Sequence, residues 1–301
     1  MAISLFSRGA FPYTDIAKYP VIPGHEVAGV VEKLGDGVDW PKVGTRVGMH
    51  WLYSSCGHCE LCLAGGGTMC SEAQVTGVTK DGGFAEYMLA PAVQVSVIPE
   101  GIDFAEAAPL MCAGLTVHRG LVNADFKPGE KVAVIGIGGL GHLAIRYARA
   151  MGGRVAAISR SPKKEPLAKE MGVELFIDGN KPDFVEKLRA WDGGADIILA
   201  TAPSAKEMNA SFPGLARKGR LVVLGLTEEE VKIKPMDIII GERKVVGSLI
   251  GTRHDIQDCL SFSITHGIRA EIETFNLEDA GKALEALRSG NLKGRAVIVM
   301  D

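Results

Sequence analysis

One segment limits the possible folds more than any other. Val132-Ala-Val-Ile-Gly-Ile-Gly-Gly-Leu-Gly141 runs a hydrophobic stretch directly into G-x-G-x-x-G, as Gly136, Gly138 and Gly141, with Gly139 and Leu140 between. An amphipathic helical pattern follows. A strand that turns tightly on glycine and re-enters a helix can hold a pyrophosphate. Gly136 allows the turn, Gly138 lets the backbone approach the phosphates, and Gly141 lets the helix pack close to the strand with its N-terminus facing them. With 38 glycines among 301 residues the bare motif is weak. The strand before it, the helix after it and a second strand ending at Ile158 make it specific for a dinucleotide-binding fold.

Around this segment the chain changes character. From Tyr19 to about Pro99 it reads as β-rich, with short strands at Val27 to Val31, Thr45 to Met49, Gly83 to Leu89 and Val93 to Ile98. Ala107 to Leu121 reads as one helix. Beyond Pro128-Gly129, strands and helices alternate up to the strand Lys244 to Ile250, a pattern that specifies a parallel sheet with helices on both faces. A last helix and strand, Leu277 to Ser289 and Ala296 to Met300, are expected to fold back onto the first domain. The expected architecture is α/β: a doubly wound Rossmann domain over 114–249 and a β-rich domain over 1–113 completed by 250–301.

The end of the second strand selects the dinucleotide. A chain that binds NAD carries Asp or Glu there, which accepts from the ribose hydroxyls and repels a 2′-phosphate. This chain has Ser159-Arg160-Ser161-Pro162-Lys163-Lys164. Ser159, Arg160, Ser161 and Lys164 are donors suited to a phosphate dianion, so NADP(H) is expected over NAD(H). A solvated basic turn at a helix start is the competing reading.

Four cysteines, Cys56, Cys59, Cys62 and Cys70, stand as C-x2-C-x2-C-x7-C, a spacing that closes four thiolates around one tetrahedral ion. With every position filled by protein, such a zinc stabilises a loop and performs no chemistry. Two disulfides are the alternative.

The net charge of −3 and the absence of a basic block argue against a nucleic-acid partner, and no apolar run reaches membrane-spanning length. The opening Met-Ala-Ile-Ser-Leu-Phe-Ser-Arg has neither a basic n-region nor a long apolar core, so the expected compartment is the cytoplasm.

Taken together, five motifs in order resemble the zinc-containing medium-chain alcohol dehydrogenases. They are Gly24-His25-Glu26-x2-Gly29-x5-Gly35, the four-cysteine lobe, Leu110-Met-Cys-Ala-Gly-Leu-Thr116, Gly136-Ile-Gly-Gly-Leu-Gly-His142 and Gly247-Ser-Leu-Ile-Gly251. The Gly-Leu-Gly-His helix start and the Ser-x-Ser-x-Lys-Lys turn look most like the NADP-preferring, cinnamyl-alcohol-dehydrogenase-like branch. The resemblance implies a GroES-like catalytic domain beside the Rossmann domain, and hydride transfer between a primary alcohol or aldehyde and NADP(H). It also implies a homodimer or homotetramer built through the strand at Lys244 to Ile250. His25 and Cys112 match two catalytic zinc ligands, and Glu26 the carboxylate that orients or transiently joins the metal. Thr116 matches a residue beside the nicotinamide, Trp51 a pocket-lining aromatic, and Arg295 a basic residue near the cofactor pyrophosphate. Trp51 as plain core and Arg295 as a surface residue remain open.

One departure bears on competence. The family's first catalytic ligand is a Cys about twenty residues before Gly-His-Glu, followed closely by a relay Ser or Thr, and a catalytic zinc takes three protein ligands. Here that position falls at Met1 to Phe6, which holds no Cys or His. The resemblance therefore implies an N-terminally truncated chain with impaired activity. Cys259 reads as a small buried hydrophobe, not a replacement. A non-catalytic protein that keeps zinc and nucleotide, and a zinc-independent quinone or alkene reductase, stand as the other readings.

Overall fold

The computed structural model describes residues 17–290, 292 and 294–300. The expectation placed on Met1 to Phe6 lies outside the described residues. Two compact units divide the chain. One takes it up to Leu115 and again from Ile250; the other is Thr116–Leu249.

In the first unit β1 (Val27–Val30) pairs antiparallel with β2 (Arg46–Met49). Next come β3 (Leu52–Ser54), the short helix α1 (Glu60–Leu63) and β4 (Gln74–Val75), and β4 closes antiparallel on β3. The cysteine lobe is the excursion between these two strands. β5 (Ser96–Val97) adds to β2 to complete a three-stranded sheet. Gly83 to Leu89, expected as a strand, forms none. Its backbone donors go elsewhere: the amides of Gly82, Gly83 and Phe84 donate to the carbonyls of Ile22, Gly24 and Pro23. That stacking demands glycine, since a Cβ on Gly82 would lie 2.0 Å from the Gly24 carbonyl oxygen.

The helix expected over Ala107 to Leu121 is broken. α2 (Phe104–Ala107) starts with the Asp103 carboxylate accepting from the Glu106 amide at 2.8 Å. A 3-10 turn over Ala108–Met111 follows, Cys112 leaves helical geometry at φ −133° and ψ −67°, and α3 (Ala113–Asn123) begins afresh. Pro109 lies inside the break, lacking the N–H that an uninterrupted helix would use.

The second unit alternates as expected: β6 (Lys131–Ile135), α4 (Gly141–Ala150), β7 (Arg154–Ser159), α5 (Glu165–Glu170), β8 (Leu175–Asp178), α6 (Phe184–Ala190), β9 (Ala195–Ala200), α7 (Ala205–Ser211), β10 (Leu215–Val223), α8 (Pro235–Gly241) and β11 (Lys244–Gly247). The six strands order β11-β10-β9-β6-β7-β8, all parallel. Chain order reverses between β6 and β9, the switch point where doubly wound sheets bind ligands. Near-continuous apolar strands make the core, with Ala133, Ile135, Ala156, Ile158, Ile198 and Leu221 buried among Leu188, Met208 and Phe212. β11 is shorter than the expected Lys244 to Ile250, and α8, with Pro235 in its first turn, was not foreseen.

The return segment gives α9 (Arg253–Thr265), β12 (Ile272–Asn276), α10 (Ala280–Ser289) and β13 (Arg295–Val299). α9 opens on a capping box between Thr252 and Asp255. β12 and β13 pair parallel and pack on α2, within the first unit.

Candidate metal and nucleotide sites

The four cysteines converge as the spacing requires, with all their sulfurs within 4.8 Å of one another. Cys56 Sγ and Cys62 Sγ stand 3.8 Å apart. That is far beyond a disulfide bond of about 2.05 Å, and close to the edge of a tetrahedron with zinc–sulfur bonds of about 2.3 Å. None of the six cysteines is in a disulfide. Backbone amides point at the sulfurs: Cys59 N to Cys56 Sγ and Glu72 N to Cys70 Sγ, both at 3.4 Å. The backbone groups of His58 and Cys59 pull the Cys56 thiol down to about 6, the direction a thiolate ligand needs. The donor chemistry and spacing fit one zinc ion.

A second cluster gathers His25, Glu26 and Cys112, whose donor atoms also lie within 4.8 Å. His25 precedes β1, and Cys112 occupies the helix break. This brings Nε2 of His25 to 3.1 Å from Cys112 Sγ across 87 residues of sequence. His25 is buried and Cys112 half-buried. Burial pushes the His25 imidazole down to about 4, with the Glu26 charge opposing, and pushes the Cys112 thiol up to about 12, with Glu26 adding. A neutral imidazole and a thiol sharing one small volume suit a borderline-soft cation.

Glu26 has another partner. Its carboxylate is ion-paired with Arg295, on β13, and both side chains are largely buried. Burial alone would raise the Glu26 carboxyl, but Arg295, then His25, hold it below its usual value. Arg295 is thus a buried counter-ion to Glu26, neither the surface residue that one reading allowed nor a free cation. A cavity of ≈1150 Å³ lies in this unit and reaches Glu26 and Arg295. It meets the metal cluster only at Glu26, since His25 and Cys112 do not line it.

In the second unit the Gly136 amide donates to the Ile158 carbonyl at 2.8 Å, and the Thr201 hydroxyl to that of Ile135 at 2.7 Å, locking the turn after β6. Gly136 sits at φ +89°, the left-handed region that favours glycine. A Cβ on Gly138 would meet nothing within 4 Å, so the approach to its backbone is open, whereas one on Gly141 would lie 1.8 Å from the Gly136 carbonyl oxygen. At the end of β7, Ser159 is buried and its Oγ accepts from the Ser161 amide at 3.1 Å. Lys164 reaches back to the glycine turn, its Nζ donating to the Ile137 carbonyl at 2.7 Å. Arg160 is exposed and pairs through Nε with Glu207 at 2.9 Å. Open glycine backbone beside hydroxyl, ammonium and guanidinium donors fits a dinucleotide.

Comparison with known proteins finds dehydrogenases on both units. A model of the "Alcohol dehydrogenase GroES-like domain" matches residues 4–100 and one of "Zinc-binding dehydrogenase" matches 139–265. An alcohol dehydrogenase of Geobacillus stearothermophilus is 40% identical over 284 residues, 94% of this chain and 84% of that protein. Among solved structures, a cinnamyl alcohol dehydrogenase from Sorghum bicolor superposes with a TM-score of 0.91 at 31% identity, covering 99% of this chain and 86% of that one. The CAD of Helicobacter pylori complexed with NADP(H) gives 0.88 at 31% identity, covering 99% and 86%. The chain belongs to the zinc-containing medium-chain alcohol dehydrogenase family. This is a family of oxidoreductases acting on small molecules, and the GroES-like and Rossmann folds of the two units are the family's.

Against this family background, Trp51 is half-buried beside β3, its carbonyl accepting from the Thr76 amide at 2.9 Å, and Thr116 is buried in the first turn of α3. Three features escape sequence reading. His50 is fully buried with neither ring nitrogen hydrogen-bonded. Burial pushes it down to about 4, with His25 adding and Asp255 opposing, so it stands within electrostatic reach of the metal cluster. Glu207 pairs with Arg160 from another element. His58 and Glu72 approach Cys56 closely enough to form a third, exposed donor group at the lobe. None follows a motif, and the first two arise where the fold brings separate segments together.

Proposed function

We propose that this chain is an NADP(H)-dependent, zinc-dependent alcohol dehydrogenase or aldehyde reductase acting on primary alcohols and aldehydes. The observation that carries the reading is the 3.1 Å approach of His25 Nε2 to Cys112 Sγ with Glu26 beside them. A zinc ion held there supplies Lewis acidity, which lowers the pKa of an alcohol and prepares it to lose hydride. Neutral His25 offers a lone pair because burial keeps it unprotonated, and Cys112 gives up its proton on meeting a cation. Glu26, held by Arg295, keeps a negative charge beside both. The glycine turn and the Ser159, Arg160, Ser161 and Lys164 cluster would hold and orient NADP(H), with the guanidinium and ammonium matched to a 2′-phosphate.

A second reading is supported by one observation. With Glu26 occupied by Arg295, the cluster presents two strong protein donors where a catalytic zinc takes three. A protein that keeps lobe zinc and nucleotide but turns over weakly would look the same. Zinc counted per chain, with NADP⁺ reduction on a panel of primary alcohols, separates the two. The proposal expects two zinc ions per chain, one of them lost in Cys112→Ala together with turnover. A single zinc ion unaffected by Cys112→Ala, without turnover, supports the second reading. Turnover insensitive to Cys112→Ala would refute the zinc mechanism.

A further inference from the structure

We infer that Glu207 sets the size of the cofactor preference by competing with the 2′-phosphate for Arg160. This rests on the reading of Arg160 as a 2′-phosphate partner and adds to it a residue from another element. Arg160 stands at the end of β7, its carbonyl held by Asn180 Nδ2 at 2.6 Å, so its backbone position is fixed while its side chain is 69% exposed. Glu207, in the first turn of α7, is the less mobile partner. Its amide donates to the capping Ser204 hydroxyl at 3.3 Å, and its side chain is only 22% exposed. The carboxylate meets Arg160 Nε at 2.9 Å.

The segment Ser159 to Lys164 has no carboxylate of its own, the absence that favours NADP(H) over NAD(H). The fold delivers one from elsewhere. A phosphate dianion that takes Arg160 must draw the guanidinium from Glu207, or bind the same guanidinium with Glu207 still beside it and meet like-charge repulsion. A free ribose hydroxyl is neutral and meets neither cost. Glu207 therefore lowers affinity for the phosphorylated cofactor selectively, leaving a chain with a modest preference. Lys164, which donates to the Ile137 carbonyl, and the Ser159 hydroxyl, which accepts from the Ser161 amide, provide the remaining preference.

The test measures binding of 2′,5′-ADP and 5′-AMP to the full chain, so that neither the nicotinamide nor a metal enters. Glu207→Gln keeps the shape and removes the charge. It should tighten 2′,5′-ADP about two- to fivefold, the scale of an exposed ion pair of up to roughly 1 kcal/mol, with 5′-AMP nearly unchanged. In an Arg160→Ala background the gain should largely vanish. Two outcomes overturn the inference alone: Arg160→Ala weakens 2′,5′-ADP while Glu207→Gln changes nothing, or Glu207→Gln helps equally with and without Arg160. If Arg160→Ala leaves both nucleotides bound as before, the 2′-phosphate reading of Arg160 fails and the inference with it. The 5′-AMP affinity reports in every variant that the unit is folded.

Discussion

At the residue scale the buried histidines are the most exposed to test. The ring nitrogens of His50 make no hydrogen bond, and burial holds the imidazole near 4, against 6.5 for a free one. Between those values the unfolded chain takes up a proton that the folded chain refuses. Stability is therefore full above about pH 6.5 and falls as the pH drops toward 4, by up to about 3 kcal/mol for one such group. Urea unfolding at neutral pH and at pH 5 should show this loss, and His50→Phe should remove His50's share of it. An unchanged slope in His50→Phe would mean that His50 is not the buried neutral group described. Residue-scale partners were also the least legible in the sequence. Glu26 and Arg295 are 269 positions apart and meet only because β13 lies against the segment carrying Glu26. Cys112 could be matched by motif, but its release from helical geometry depends on the 3-10 turn around Pro109, which apolar periodicity does not reveal.

At the scale of elements, two loops take the local form that their spacing promises. The cysteine lobe needs only Cys56, Cys59, Cys62 and Cys70, so Cys62→Ser should release one zinc ion per chain and lower the melting temperature, since metal affinity at such a site adds directly to folding stability. Metal analysis beside a thermal melt checks both, and a variant that keeps its zinc and its melting temperature contradicts the assignment. The glycine turn rests on close backbone approach within its own segment, with the Ile158 carbonyl and the Thr201 hydroxyl locking it from outside. Gly141→Ala would push a Cβ to 1.8 Å from the Gly136 carbonyl oxygen, so the turn must open. A destabilisation of roughly 1–3 kcal/mol and weakened adenine-nucleotide binding are expected, whereas Gly138→Ala, with open space at its Cβ, should leave stability nearly unchanged. Elements failed to be legible where hydrogen bonds left the ladder. Gly83 to Leu89 alternates like a strand, yet its first amides bond to the 22–24 loop. In the second unit both strand faces are covered, so apolar runs matched strands closely, and errors fell at ends such as β11.

At the scale of the whole molecule, the edge of the six-stranded sheet is left open among the described residues. β11 pairs only with β10, Val245 on it is 47% exposed, and Met236, Ile239 and Ile240 of the neighbouring α8 are more exposed still. An unpaired strand edge with apolar side chains around it invites pairing with another chain. A closed pairing is a twofold one, in which β11 meets its own copy antiparallel and both edges are used at once, whereas a head-to-tail contact would leave one edge open and propagate. The expected species is therefore a dimer or a higher even oligomer. Sedimentation at micromolar concentration should report it. Val245→Lys places a charge at the edge and, across a twofold axis, brings two like charges together, so it should shift the population toward monomer without moving 5′-AMP affinity. A wild-type chain that sediments as a clean monomer would show that this edge is protected by its own surroundings. A lysine variant that stays dimeric would place the interface elsewhere.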